Sequence, residues 1–308
     1  MGVMNKVTII GSLNIDTTFK VTNFPLPGET IRAFNKSSAA GGKGANQAVA
    51  AARLGAKTTF IGKVGNDQQG EFMIKALKQE GIDISGIKVE PATGTGTADI
   101  LLNEAGQNCI IVYGGANQTL TVADLAGLDQ QIAASDFVVA QFETPQAATI
   151  AAFKLAKAAG KMTILNPAPA SEILPELLSL TDIIIPNESE NQRITGIEIT
   201  DLNSMKKSAA KFADLGISRT IITLGSQGVF YAAGNRTAQL AAFKVKTVDP
   251  TAAGDTFIGA FVAKLSPTME NFTEAINYAQ KASALTVQHL GAQVSIPTVA
   301  QVNQAFGF

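Results

Sequence analysis

The stretch TAAGDTFIGAF (251–261) sets small residues and Gly254 where a strand-like run gives way to an apolar helix. Successive backbone N–H groups at such a start form a concavity that favours anions. The next residue, Asp255, is itself an anion. It is either a helix N-cap or a carboxylate held beside a bound phosphate group, placed to take a proton. The other polar residues with chemical range occur in short clusters. These are Asn14 with Asp16, GGKGAN (41–46), Glu143, NPAPA (166–170), NESE (187–190) and TLGSQG (223–228). Singly, each reads as a turn or a helix boundary, because Asn, Asp and Gly favour both.

The elements that must position these clusters are readable from hydrophobic period. Short β-branched runs at 6–12, 58–65, 136–141, 162–168, 182–187 and 219–225 predict buried parallel strands. Helical patterns at 44–55, 69–81, 145–160 and 201–216 lie between them, and residues 272–288 read as a further helix. Alternation of this kind predicts an α/β fold, a doubly wound and mostly parallel sheet flanked by helices. Such sheets bind ligands at the C-terminal ends of their strands. The clusters fall there, so one cleft is expected. Segments 13–40 and 96–113 break the rhythm, the second with an NEAGQN hairpin turn. Together they predict a small inserted antiparallel sheet, serving as a lid or a dimer surface. Its apolar positions, such as Ile100, Leu102, Ile110 and Val112, lie on both faces and need cover on both. With 308 residues and no linker, low-complexity tract or repeat, the chain reads as a single domain, 1–308.

Composition removes several function classes. A net charge of −1 and a pI near 5.9, with no basic stripe, argue against nucleic acid as a partner. The start, MGVMNKVTIIGSLNID, shows no signal-peptide pattern, and no run of ~20 apolar residues predicts a membrane span. Cys109 is the only cysteine, which fits a reducing cytoplasm; its apolar neighbours predict core filler. With His289 the only histidine, a histidine-rich metal site is impossible. There is no G-x-x-x-x-G-K-[ST] and no G-x-G-x-x-G after the first strand, which argues against P-loop and Rossmann enzymes.

Two longer motifs carry a resemblance. GGKGANQAVAAARLGAKTTFIGKVGND and DPTAAGDTFIGAF resemble the first and second signatures of the ribokinase-like (PfkB) sugar and nucleoside kinases. The likeness runs over essentially the whole chain, and GSLNID, GGKGANQA, NPAPA and AAGDTF are most similar to the ribose-phosphorylating members. It implies ATP-dependent phosphorylation of D-ribose to D-ribose 5-phosphate. Asp255 is then the general base, and the N–H groups of Ala252, Ala253 and Gly254 form the anion hole. The sugar site it implies is Asn14, Asp16, Gly42, Lys43, Asn46 and Glu143, together with Asp255. On the nucleotide side it implies Asn187, Thr223, Gly225, Ser226, Gly228, Gly254 and Gln280, with Glu190 acting on Mg²⁺ through water. It also implies a K⁺ site at Asp249, Thr251, Thr286, His289, Gly291 and Ser295, mostly through backbone carbonyls, and a homodimer formed through the lid.

The chain departs from the family pattern twice. Pro250 follows Asp249 where Thr is usual, which fixes φ and removes an N–H inside the cation loop. AAG stands where the wider family has GAG. The alternatives are another sugar kinase of the family, such as a deoxyribokinase, and a sugar-binding regulator without catalysis. The intact Asp255 and N-x-x-E segment argue against the second.

Overall fold

In the computed structural model, which describes residues 4–307, the β-branched runs lie side by side in one sheet. The chain opens with β1 (Lys6–Ile10), β2 (Asn14–Val21), β3 (Asn35–Gly41), α1 (Lys43–Arg53), β4 (Lys57–Gly65), α2 (Gln68–Gln79) and β5 (Asp83–Glu90). It continues with β6 (Gly96–Asn103), β7 (Asn108–Tyr113), α3 (Asp129–Ala133), β8 (Phe137–Ala140), α4 (Gln146–Ala158), β9 (Met162–Leu165), α5 (Pro175–Ser179) and β10 (Ile183–Ile184). Then come α6 (Glu188–Thr195), α7 (Leu202–Asp214), β11 (Arg219–Thr223), β12 (Val229–Ala233), β13 (Arg236–Leu240), α8 (Ala253–Lys264), α9 (Phe272–Thr286) and α10 (Val299–Phe306).

The large sheet runs β13-β12-β11-β10-β9-β8-β1-β4-β5 and is parallel from β11 to β5. Its centre is continuous apolar sequence because both faces are covered. Ile9, Phe60, Phe137, Val139 and Ile164 are all fully buried. β1 pairs with β4 on one side and β8 on the other, so the strand order reverses between β1 and β8. A crevice opens at the carboxyl ends of strands at such a point.

Three expectations need correction. The small sheet has order β3-β2-β6-β7, and its central pair, β2 with β6, is parallel rather than antiparallel. β6 reaches β2 only after α1, β4, α2 and β5, and no hairpin dictates its direction. Cys109 is exposed, not core, because every residue of the edge strand β7 is exposed. The run at 182–187 gives only Ile183–Ile184 as strand, with a lone bridge from Asn187 to Thr223 beyond it; Pro186 between them has no N–H for the ladder. The sequence reading also lacked β5 and the antiparallel β12–β13 hairpin that extends the sheet's other edge.

Helices α1 and α8 pack on the same side of the crevice at unusually short range. A Cβ added to Gly259 of α8 would lie 2.4 Å from the Ala50 Cβ and 2.6 Å from the Ala51 nitrogen of α1. The facing surface of α1 is correspondingly small: Ala45, Ala48, Val49, Ala50 and Ala51 are fully buried there. Among the described residues no helix is long and apolar enough to cross a membrane; residues 1–3 of the opening segment lie outside the described residues.

Candidate active site

Asp255 lies in the first turn of α8 and is 9% exposed. Its two carboxylate oxygens are both held by α1: Asn46 donates to Oδ2 at 3.1 Å and Gln47 to Oδ1 at 3.0 Å. The turn that delivers α8 is strained. Ala252, the residue before the helix, has φ 61°, in the left-handed region, at a cost of roughly 1–2 kcal/mol for a residue with a Cβ. Hydrogen bonds from both sides hold it there. Asp249 Oδ1 accepts from the Thr251 N–H (2.9 Å) and hydroxyl (2.6 Å), and the Ala253 N–H donates to the Pro250 carbonyl at 3.2 Å. Ser283 of α9 donates to the Ala253 carbonyl at 2.8 Å. Pro250 thus fits, since the loop uses its carbonyl and not the missing N–H. With Ala253 shared, the N–H groups of Ala252, Gly254 and Asp255 have no protein partner among the described residues, and beside the Gly254 Cα there is open space.

Across the crevice from this turn lie the residues after β1 and β8. Ser12 donates to Glu143 Oε2 at 2.5 Å, and the same oxygen accepts the Lys43 N–H at 3.0 Å. Gly42, the residue before α1, offers no side chain to the helix start; Glu143 therefore caps α1 from another element, a placement the helix dipole favours. Asn14 has its Oδ1 taken by Asn117 at 2.7 Å, which leaves its amide NH₂ as a donor. Asn117 is itself pinned by the Leu13 N–H and carbonyl. Asp16 sits over Gly41, where a Cβ would fall 2.1 Å from its carboxylate. Gly42 has φ +88°, and its Cβ would meet the Asn14 nitrogen and Ser12 oxygen at 2.9 Å. Both glycines are demanded by close approach of β3 to the crevice.

The charges interact strongly. Burial, then the charges of Glu143 and Asp255, push the Asp16 carboxyl up to about 7, with Lys43 pulling the other way. Burial works against the Lys43 ammonium, but Asp255, Glu143, Glu190 and Asp16 outweigh it and raise its pKa. Glu190 is raised chiefly by burial, against the Asn187 N–H and Lys43, which lower it, and with Asp255 adding to the rise. These mutual effects put Asp16, Lys43, Glu143, Glu190 and Asp255 around one crevice. Asn187 and Glu190 form a reciprocal cap on α6: the Glu190 N–H donates to Asn187 Oδ1 at 2.8 Å and the Asn187 N–H to Glu190 Oε2 at 2.9 Å.

The residues expected around a nucleotide divide. Thr223 is joined to the Pro186 carbonyl beside Asn187, Gly225 faces open space and Ser226 is exposed. Gly228 has a structural requirement of its own, because its Cβ would lie 2.0 Å from the Leu240 carbonyl. Gln280 is no surface residue: it is buried, with neither amide atom hydrogen-bonded. Of the six residues expected around a monovalent cation, Asp249, Thr251 and Gly291 are tied together, with the Gly291 N–H on Asp249 Oδ2 at 2.9 Å. Thr286 bonds Thr256 of α8 at 3.0 Å. Ser295 bonds only the nearby Ala292 carbonyl, and the His289 side chain is exposed. Ser12, Gln47, Asn117 and Gln141 lie outside the clusters read from sequence, whereas Gly41 and Asn166 open two of them, GGKGAN and NPAPA.

The sequence profile of the pfkB family carbohydrate kinases matches residues 4–299. The chain is 49% identical over 301 residues to the ribokinase of Staphylococcus aureus (strain COL), covering 97% of this chain and 99% of that protein. It is 45% identical over 292 residues to the ribokinase of Haemophilus influenzae, covering 95% of each. Among solved structures, that of Arabidopsis thaliana ribokinase complexed with ribose and ATP superposes with a TM-score of 0.91 at 32% identity, covering 99% of this chain and 100% of that one.

The Asp16 displacement has a measurable consequence. Its carboxyl moves from the usual 3.8 up to about 7 in the folded protein. The folded state therefore holds this proton more tightly than the unfolded chain. Its contribution to stability is complete below about pH 4 and is lost as pH rises through 7. Asp16→Asn, neutral throughout, is expected to raise the thermal midpoint of the ligand-free protein at pH 8, and by less at pH 5. An equal gain at both pH values would contradict the displacement.

Proposed function

This chain belongs to the pfkB family of carbohydrate kinases, and we propose that it transfers the γ-phosphoryl group of ATP to the 5-hydroxyl of D-ribose. The observation that carries the reading is the placing of the buried Asp255 carboxylate one residue from backbone N–H groups that lack a partner. The hydroxyl oxygen attacks phosphorus, the bond from phosphorus to the bridging oxygen of ADP breaks, and the hydroxyl proton passes to Asp255. The free N–H groups of the 252–255 turn answer the charge on the transferred group. Phosphoryl transfer asks for little beyond such positioning and charge stabilisation. The apparent conflict of an anion at an anion site disappears, since the phosphoryl group lies over the turn and the hydroxyl lies between it and the carboxylate.

The sugar is held by groups that match hydroxyls, which both donate and accept. Asn14 offers NH₂, Asp16 and Glu143 accept, and Lys43 donates. Asn46 has an Oδ1 with no partner, which a sugar hydroxyl would satisfy. The phosphates are assigned to Asn187, Thr223, Gly225, Ser226 and Gly254, and Gln280 to the base side, where its unpaired amide suits a heterocycle. Glu190 fits a hydrated Mg²⁺, because a carboxylate raised by burial and by Asp255 gains from a nearby cation. When bound, Mg²⁺ neutralises phosphate charge. In a pentose panel with ATP and Mg²⁺, ADP release is expected with ribose above 2-deoxyribose, and NMR should place the phosphate on O5. In the same assay Asp255→Asn is expected to lower kcat by at least ~10²-fold, the scale of lost general-base help, while ribose still binds. A wild-type protein that binds ribose but releases no ADP would instead be a sugar-binding regulator.

A K⁺ site beside the turn is the second element of the reading. Asp249 fits it. Although burial pushes its carboxyl up, hydrogen bonds from Thr251 and Gly291 hold it below the usual range and leave it charged. It joins the loop before α8 to the loop after α9, where the carbonyls of Thr286, His289 and Gly291 lie, with Ser295 one turn on. Bound K⁺ would stiffen the strained Ala252 turn. K⁺ is expected to raise kcat well above Na⁺ at equal ionic strength, and Asp249→Ala to flatten the difference; equal wild-type rates in the two salts would exclude the site.

The chain is further read as one kinase domain whose lid, segments 13–40 and 96–113, pairs with that of a second copy. Exposed Ile110, Ile111, Val112 and Tyr113, at 51–64%, support this, because β7 is a sheet edge that has apolar residues on both faces. The lone Cys109 suits the reducing cytoplasm. Light scattering at micromolar concentration should give twice the chain mass, and Ile111→Lys should return it to one chain. A monomeric wild type excludes the pairing.

A further inference from the structure

We infer that Gln47 is a positioning residue for phosphoryl transfer: a buried chain of three amides fixes one oxygen of Asp255 and leaves the other to take the proton. This rests on the reading of Asp255 as the base. Gln47 is fully buried in α1, the one polar side chain in the apolar run that follows Asn46. Its Nε2 donates twice, to Asp255 Oδ1 at 3.0 Å and to Asn166 Oδ1 at 3.1 Å. Its Oε1 accepts from Gln141 Nε2 at 2.6 Å. Asn166 in turn donates to the Ile185 carbonyl at 2.9 Å. Gln141 and Asn166 follow directly on β8 and β9, and both are buried. The chain therefore anchors the Asp255 carboxylate to the ends of two central strands through Gln47 alone.

Direction matters in this chain. Gln141 donates to Gln47, and Gln47 donates to the carboxylate, so each amide dipole reinforces the next. Oδ1 is held from behind by a side chain with no access to solvent. Oδ2 is held by Asn46, whose own oxygen is unpaired and which is assigned above to the sugar. When Asn46 turns to a hydroxyl, Oδ2 is released and Oδ1 is not. Gln47 thereby selects the reacting oxygen and sets its angle to the phosphoryl group. A carboxylate without this tie rotates about its Cβ–Cγ bond. It loses the alignment on which a near-attack geometry depends, and small misplacements there are worth ~10²-fold in rate.

Gln47→Met keeps length and removes every hydrogen bond. The expected result is kcat lowered on the order of 10–10²-fold, with KM for ribose and ATP within about threefold and the thermal midpoint within a few degrees, since the apolar volume is preserved. In an Asp255→Asn background the same change should leave the residual turnover unaltered, because two residues acting through one step are not additive. Gln141→Met touches neither the carboxylate nor any assigned ligand group. It should lower kcat by a smaller factor, again without moving KM, and it carries the test alone if Gln47→Met does not fold. Wild-type kcat in whichever of these variants folds, a loss confined to KM, or a full further loss in the Asp255→Asn background would each overturn the inference. If Asp255→Asn itself turns over at the wild-type rate, it is the assignment of the base that fails.

Discussion

The close approach of α1 to α8 is the constraint on which the site depends. Asn46 and Gln47 meet Asp255, and one turn further along both helices Ala50 and Ala51 meet Gly259. The two contacts are in register because residues four apart lie on the same face of a helix. A hydrogen bond of about 3 Å between short side chains requires helix axes nearer than large residues permit. The missing Cβ of Gly259 and the alanines opposite it supply that separation. The second signature is therefore not a phosphate turn followed by an arbitrary helix: the residue one turn after the carboxylate fixes how near the carboxylate can come to its partners. The same small-residue seam keeps the buried face of α1 apolar around two amides, so that both amides have few choices of partner besides Asp255.

Concentrating acidic groups in one crevice works against the fold, and the arrangement shows how that is contained. Asp16, Glu143, Glu190 and Asp255 surround a single ammonium, Lys43. Two of the carboxylates have structural partners. Glu143 caps α1 through the Lys43 N–H and Ser12, and Glu190 caps α6 with Asn187. Asp16 accepts from no protein group among the described residues, and its carboxyl is pushed up to about 7. A half-buried carboxylate with no donor is unfavourable alone and would be less so once hydroxyls fill the space before it. The ligand-free protein therefore carries at Asp16 a local penalty that a polyhydroxylated substrate removes, which favours a sugar over an apolar molecule of equal size.

How far the sequence disclosed this depended on the range of each interaction. The strands with dense β-branched runs were legible, because burial on both faces needs no knowledge of neighbours. The β5 segment, DISGIKVE, was not: charges and Gly86 interrupt its period. The β12–β13 hairpin was overlooked although its Gly-Asn turn is a local signal. The parallel pairing of β2 with β6 lies beyond any local pattern, since it is decided by the crossover between them. Within the site, most of the residues proposed to face a ligand sit in short motifs. Gln47, Gln141 and Asn117 bond from behind, and each acquires its meaning only from a partner in another element; Asn166 was visible as the start of NPAPA, but its bonds to Gln47 and the Ile185 carbonyl were not. Gly41 belongs with them, because its need for no Cβ appears only when Asp16 is placed above it. Cys109 misled because apolar neighbours on an edge strand signal an uncovered face as readily as a core.

The position of the crevice and the place of the small sheet beside it come from the same piece of topology. The order reverses between β1 and β8, so the ends of these strands diverge, and Ser12 and Glu143 bridge the gap. The chain leaves β1 and runs through Leu13 straight into β2, the strand that carries both Asn14 and Asp16 and forms the interior of the small sheet. On the proposed reading the lid and the sugar site are thus not separate parts joined by a hinge, since both Asn14 and Asp16 lie on β2 of the small sheet itself. Asn117 clamps Leu13 and Asn14 at the junction, with bonds to the Leu13 N–H, the Leu13 carbonyl and the Asn14 amide. That clamp fixes the root of β2, and the bonds that hold the remainder of the strand run to β3 and β6 within the small sheet. Any tilt of the small sheet would carry Asp16 relative to Glu143 and Asp255, which belong to the elements of the large one. Separation of these like charges is unfavourable to reverse in the empty site and becomes favourable to reverse when hydroxyls lie between them. On the proposed reading, closure over a sugar would need no dedicated switch, because relief of the repulsion that Glu143 and Asp255 exert on Asp16 would itself supply the difference between two states that a ligand-driven shift requires.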